Sequence, residues 1–183
     1  MIAELLAGPV LEVAPRLLGM RLRSEIGGEP TEVVLSEVEA YGGIDDPASH
    51  AYPGPTRRNQ TMFGPPGGLY VYRSYGVHWC ANIVTGDPEV GQAVLLRSGH
   101  PVVGEEVMAR RRARPDRLAT GPGNLTKALG IDGALDGTSV LNGPVRLLDG
   151  GPIPGRIATT PRIGITRAVE LPWRFVLLGK PKV

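Results

Sequence analysis

The chain has one cysteine, Cys80, among 183 residues. That excludes an internal disulfide framework and a cysteine-built zinc centre, and it fits a reducing compartment. There are three histidines, at positions 50, 78 and 100, too scattered to suggest a histidine metal site. No Gly-x-Ser-x-Gly occurs, and Gly64-Pro65-Pro66-Gly67-Gly68 lacks the Lys-Ser/Thr of a phosphate loop. No apolar run approaches the length of a membrane span. The first residues lack a basic segment and carry Glu4 and Glu12, so no signal peptide is expected. A cytoplasmic protein without a membrane partner is the resulting expectation.

Glycine and proline are plentiful, 26 and 18 residues, which is high for a helical protein. With 42% hydrophobic residues there is enough for a core, and the length suits one domain spanning residues 1–183. Net charge is +2 but unevenly spread: residues 1–56 carry −6, residues 57–127 carry +5 and the remainder +3. Of the 20 basic residues 17 are arginine, whose planar fork suits phosphate; a GC-rich genome would give the same bias.

Aromatic residues are scarce at 5%, yet all 5 tyrosines fall between positions 41 and 75, with His50, His78 and Trp79 beside them. Such concentration suggests a surface that stacks on something flat. Residues 69–82 read as two strands around a turn at Tyr75-Gly76-Val77-His78, with Gly76 supplying the positive φ. Alternation puts Tyr70 and Tyr72 on one face and Leu69, Val71, Arg73 and Tyr75 on the other.

Elsewhere the pattern predicts a helix over Pro9–Leu18 and strands over Met20–Ile26, Thr31–Tyr41, 78–84 and 92–98. Helices are expected at Val103–Arg114 and Asn124–Leu129, and late strands at Pro144–Leu148, Arg162–Ile165 and Trp173–Leu178. The four arginines ending the helix at 103–114 read as a solvated face. Residues 42–68 form a long loop of the kind that carries function. The fold class is α+β, a single mixed domain with a curved, largely antiparallel sheet and helices around it.

On the strand Thr31–Tyr41, strict alternation places Val33, Leu35, Glu37, Glu39 and Tyr41 on one face. A carboxylate among apolar strand neighbours is costly unless paired. Either Glu37 or Glu39 makes an ion pair with a strand residue such as Arg97, or Glu39 works in a site with Tyr41, His50 and the tyrosine hairpin.

The runs Glu37-Val-Glu39-Ala-Tyr41, Ser49-His50, Thr56-Arg57-Arg58-Asn59, Met62-Phe63 and Leu69-Tyr-Val-Tyr-x-x-Tyr75-Gly-Val-His-Trp-Cys-x-Asn82 resemble the alkyladenine (3-methyladenine) DNA glycosylase family. Ala93-Val-Leu-Leu-Arg97, Gly121-Pro-Gly-x-Leu125, Ala128-Leu-Gly-Ile131 and Pro161-Arg-Ile-Gly164 extend the likeness from about Pro9 to Phe175. The resemblance implies an enzyme of base excision repair that flips a damaged purine out of duplex DNA and cleaves its glycosidic bond with water. It implies a protruding hairpin whose Tyr75 intercalates, and a base held between Tyr41 on one side and Tyr72 with His50 on the other. Asn82 would line the pocket and disfavour guanine. Glu39 would be the general base, held with its water by Arg97. Arg57, Arg58 and Arg73 are candidates for the DNA backbone. The resemblance implies no metal and no organic cofactor, a monomer, and association with the nucleoid through DNA.

Two departures stand out. Ser98-Gly99-His100-Pro101 replaces the Ala-Leu-Glu-Pro-like continuation after Arg97, leaving the neighbours of that arginine open. Ala81 replaces a common Met or Leu. Two other classes would share part of this pattern. A non-catalytic nucleic-acid-binding module would use the aromatics and arginines but has no use for Glu39, which repels phosphate. A hydrolase of free nucleosides would need neither Tyr75 as a wedge nor the basic region after residue 57.

Overall fold

A computed structural model describes residues 1–151 and 155–179. It is a mixed α/β fold built on one eight-stranded antiparallel sheet. The chain opens with α1 (Ile2–Leu6) and α2 (Val10–Leu17). Val10, Val13, Ala14 and Leu17 of α2 are buried, the i, i+3, i+4, i+7 stripe of a core-facing helix. Pro15 is accommodated within this helix, which stops two residues later before Gly19 at φ 86°. Then come β1 (Arg21–Ser24), β2 (Thr31–Tyr41), β3 (Leu69–Ser74), β4 (His78–Thr85) and β5 (Gln92–Val103). After α3 (Glu105–Arg112) and α4 (Pro122–Leu129) follow β6 (Val145–Leu148), β7 (Arg156–Thr160) and β8 (Arg174–Leu178).

The strands run β3-β4-β5-β2-β1-β6 across the sheet. β2 is the spine. β5 lies along one side of it, while β1 pairs with its first residues and β8 with Glu37, Val38 and Glu39. Among the described residues β7 pairs with β8 alone. The main core gathers Leu22, Val33, Leu35, Val38, Ala40 and Leu96 with α2 and α4, and a smaller cluster forms around Tyr70, Ala51 and Met62.

Strict alternation fails on β2, and the failure is informative. The register slips between Leu35 and Glu37, where Ser36 has no partner on β5, and again after Glu37, where Arg97 has none on β2. Val33 and Leu35 face the core, but past the slip it is Val38 and Ala40 that do. Glu37, Glu39 and Tyr41 therefore lie on the face opposite Val33 and Leu35, contrary to the sequence expectation. An extra residue in one strand reverses which parity faces inward, and bulges of this kind recur beside functional sites.

Other expectations need correction. Residues 162–165 are not a strand; the strand before β8 is β7, and residues 161–173 form a loop. β5 continues to Val103, so the next helix begins only at Glu105. Its arginines are not merely solvated. Arg111 donates to the carbonyls of Ile26 and Ala128 at 2.9 and 3.2 Å, Arg112 to that of Leu118 at 3.0 Å, and Arg110 pairs with Glu29.

Candidate active site

A cavity of about 670 Å³ opens on the face of the sheet that carries Glu37, Glu39 and Tyr41. Its walls come from the end of β2, the 42–68 loop, the β3–β4 pair, Leu95 and Arg97 of β5, Pro122 of α4 and the 161–173 loop. The size falls within the about 300–1,000 Å³ of ordinary ligand pockets. A second cavity of about 430 Å³ adjoins it and shares His50, Tyr70, Arg58 and Arg167.

Tyr70 and Tyr72 project from alternate positions of β3 into this side, as alternation predicts. Their rings stack at 5.5 Å between centroids, and His50 stands edge-on to Tyr72 at 4.5 Å. His50 Nδ1 is 3.1 Å from the Tyr70 hydroxyl. Burial, and then the Arg58 charge, lowers the His50 pKa below its ordinary value, so the ring is neutral at pH 7. Burial pushes Tyr70 up to about 12 and raises Tyr72 as well, with the Cys80 thiol hydrogen-bonded beside it. Asn82, opposite Tyr70 on β4, lines the same cavity and donates to the Tyr70 carbonyl at 3.1 Å.

The loop bearing His50 is held from within. Asn59 is buried and donates to the carbonyls of His50 and Gly54 at 2.7 and 3.0 Å, while its own carbonyl accepts from the Thr56 amide and hydroxyl. Asp46 anchors the start of the loop. It accepts from the Gly42 and Ala48 amides and from Arg162, whose guanidinium lies 4.8 Å from the Tyr41 ring and 5.0 Å from that of Trp173. Both side chains of this ion pair are 0% exposed. Gly43, at φ 81°, leaves no room for a side chain: a Cβ there would stand 2.0 Å from the Val90 carbonyl.

Beneath the cavity lies a network of two carboxylates and two arginines. Arg97 donates through Nε to Glu37 at 2.9 Å and reaches Glu39 through Nη1 at 3.2 Å. Arg174 of β8 shares Glu37 at 2.7 Å. Ser98 Oγ donates to Glu37 and accepts from the Gly121 amide, 3.1 Å each, tying the network to the start of α4. Burial alone would raise the Glu37 carboxyl, but hydrogen bonds from Arg174 and Arg97 outweigh it and hold it below its ordinary value. Ser98, one of the departures, is thus part of this hydrogen-bonded network. Glu39 is 0% exposed; it accepts from the Ile163 amide at 2.8 Å and from the Tyr41 hydroxyl at 3.0 Å. Burial, and then the Glu39 carboxylate, raises the Tyr41 pKa, which keeps its phenol protonated.

The β3–β4 turn carries two successive positive φ angles, 49° at Tyr75 and 68° at Gly76, as mirror-image hairpin turns demand. Tyr75 is 92% exposed at this tip, on the rim of the cavity. Arg57, Arg58 and Arg73 are all exposed; Arg58 and Arg73 line the cavity, and Arg73 lies 5.7 Å from the Trp79 ring. Tyr41, His50, Tyr72, Tyr75, Asn82 and Arg97 therefore surround one space, with Glu39 under it. The residues that sequence reasoning missed are Asp46, Arg162, Ile163 and Arg167, and Arg174 as the second partner of Glu37. Among the described residues no cluster of three or more His, Cys, Asp or Glu side chains could hold a metal ion. Nor is any described helix long and apolar enough to cross a membrane.

A sheet whose central strand turns a buried carboxylate–arginine pair toward a tyrosine-lined cavity defines the class, and residues 4–181 match the methylpurine-DNA glycosylase family: the chain belongs to it. A protein of Frankia casuarinae named "Putative 3-methyladenine DNA glycosylase" is 51% identical over 189 residues, covering 96% of this chain and 87% of its own. Proteins of the same name from Granulibacter bethesdensis and Chlorobaculum parvum are 51% and 46% identical, covering 91% and 99% of this chain and 79% and 88% of theirs.

Proposed function

We propose that the protein is a monofunctional DNA glycosylase that acts on alkylated purines of the 3-methyladenine class in duplex DNA. The flipped base enters the cavity between Tyr41 and the Tyr72–His50 pair, and Tyr75 fills the gap left in the stack. Alkylated purines carry positive charge, which favours them over normal bases against tyrosine faces. Their charge also makes them good leaving groups. Glu39 serves as the general base for the water that attacks C1′, with Arg97 holding its carboxylate. Asn82, on the wall of that cavity, disfavours the amino group of guanine. Exposed Arg57, Arg58 and Arg73 reach the backbone. The protein acts as a monomer, and no step assigned to its side chains calls for a metal.

The observation that carries this reading is the buried Glu39, paired with Arg97 under an aromatic cavity whose rim bears a 92% exposed tyrosine. A module that only binds nucleic acid gains nothing from a buried anion there. The test is release of damaged purine from duplex DNA by the purified protein. Release of 3-methyladenine, with loss of release but retained duplex binding in Glu39→Gln, is expected. Full activity in Glu39→Gln would assign the base elsewhere, and no release from any alkylated purine would remove the enzyme reading.

A further inference from the structure

The β3–β4 hairpin reaches past the sheet that roots it. β5 pairs with β4 over Asn82–Thr85, and among the described residues the stretch 78–81 pairs with β3 alone. On the other edge, Asp136 accepts from the Val71 amide at 2.9 Å. Tyr75 stands beyond both supports. Two strands alone make a marginal structure, so an arm that must press into a base stack needs bracing.

α4 and the turn after it hold this stretch. Thr126 is 1% exposed, and its hydroxyl donates to the Trp79 carbonyl at 2.8 Å. The Pro122 and Gly123 carbonyls of its own helix lie farther off, at 3.2 and 3.1 Å, and a hydroxyl has one proton to give. His78 packs on Gly123 so closely that a Cβ there would stand 2.9 Å from the His78 Cβ. The Trp79 ring packs on Gly133, where a Cβ would stand 2.6 Å from it. The same helix is tied to the carboxylates. The Gly121 amide, just before α4, donates to Ser98 Oγ, which donates to Glu37. Arg97 joins Glu37 to Glu39.

We propose that α4 braces the wedge and that Thr126 is the positioning residue of the brace, a proposal that rests on Tyr75 filling the gap in the stack. Buried as it is, Thr126 acts through the Trp79 carbonyl on the arm that carries Tyr75. One short helix thereby registers the side chain that enters the duplex against the carboxylate network under the cavity.

The test is single-turnover release from a well-paired lesion and from the same lesion in a mismatch, where less stacking has to be broken. Thr126→Val keeps the branched shape and removes the hydroxyl. It should slow the well-paired lesion at least about fivefold, the worth of one net hydrogen bond, and the mismatched one less than about twofold. Thr126→Ser restores the hydroxyl and should return both rates to within about twofold of the parent. Combined with Tyr75→Ala, Thr126→Val should slow release no further, because the arm it steadies no longer carries the wedge. Equal slowing of both lesions, no slowing of either, or losses that multiply in the double variant would overturn the brace. If Thr126→Val does not fold, Gly123→Ala replaces it: alanine suits the helix, and its Cβ displaces His78. Selective slowing of the well-paired lesion by Gly123→Ala supports the brace; equal slowing or none overturns it. A Tyr75→Ala variant that slows both lesions alike removes the wedge and the brace with it. Selective slowing by Tyr75→Ala beside unselective Thr126→Val removes the brace alone.

Discussion

The Arg162–Asp46 pair offers the sharpest test of how this site is held. Both side chains are fully buried, and Arg162 donates to Asp46 at 2.5 and 3.0 Å. Asp46→Asn keeps the shape and removes the anion, leaving a guanidinium without a counter-charge between Tyr41 and Trp173. Breaking one half of a buried pair costs about 3–5 kcal/mol. In a chain of this length that corresponds to a Tm lower by about 6–20 °C. The orphaned charge, more than the lost bonds, is the source of the cost. Asp46→Asn combined with Arg162→Met should therefore be less destabilised than Asp46→Asn alone. Urea denaturation of the parent, both single variants and the double variant closes the cycle. A loss under about 1 kcal/mol in Asp46→Asn, or a double variant as unstable as the two singles summed, would refute the reasoning. The pH dependence has a definite sign. Burial alone would raise the Asp46 carboxyl, but bonds from Arg162, Gly42 and Ala48 hold it below its ordinary 3.8. The stability it contributes is therefore present above that value and lost as pH falls through the lower, folded one.

Glu37→Gln leaves Arg97 and Arg174 without their shared anion and should cost about 1.5–3 kcal/mol at pH 7 in denaturant titrations. Because the Glu37 carboxyl is held below 4.5, the gap between parent and variant should close as pH falls below that value; a constant gap would contradict the ion-pair account. The His50 ring, followed by NMR, should titrate below 6.5, and Arg58→Ala should raise the midpoint without restoring it, since burial is the larger cause. Tyr75→Ala should slow release from well-paired lesions more than from mismatched ones, and equal slowing would remove Tyr75 as the wedge.

What could be read from the sequence was local. Thr31–Tyr41 is a strand to the residue, and the tyrosine hairpin follows from the alternation of Leu69–Tyr72 and the freedom of Gly76. Alternation puts Glu39 on the wrong face because it assumes an unbroken ladder. The signal was nevertheless present, since the apolar positions change from odd to even between Leu35 and Val38. Arg162 was invisible as part of the site. Its partner lies 116 positions away, and nothing in Pro161-Arg162-Ile163 distinguishes a buried guanidinium from a solvated one. The arginines of α3 misled in the same way, because the carbonyls they hold belong to Ile26, Ala128 and Leu118. Long-range pairing sets both outcomes, and periodicity carries no record of it.

The unpaired Ser36 has a consequence beyond the site it serves. It acts as a phase slip in a two-beat rhythm, so that one strand answers to two separate constraints. Residues before it can vary to suit the packing against α2, and residues after it to suit the cavity, without either change being transmitted as a reversal of faces. The cost is fragility at one point. If Ser36 were drawn into the ladder with the chain length unchanged, the beats would come back into step, turning Glu37 and Glu39 inward among leucines and valines and setting Val38 and Ala40 where the base should lie. Deleting Ser36 would instead bring Glu37 directly after Leu35, as their partners Ser98 and Gly99 already are, and leave both faces as they stand.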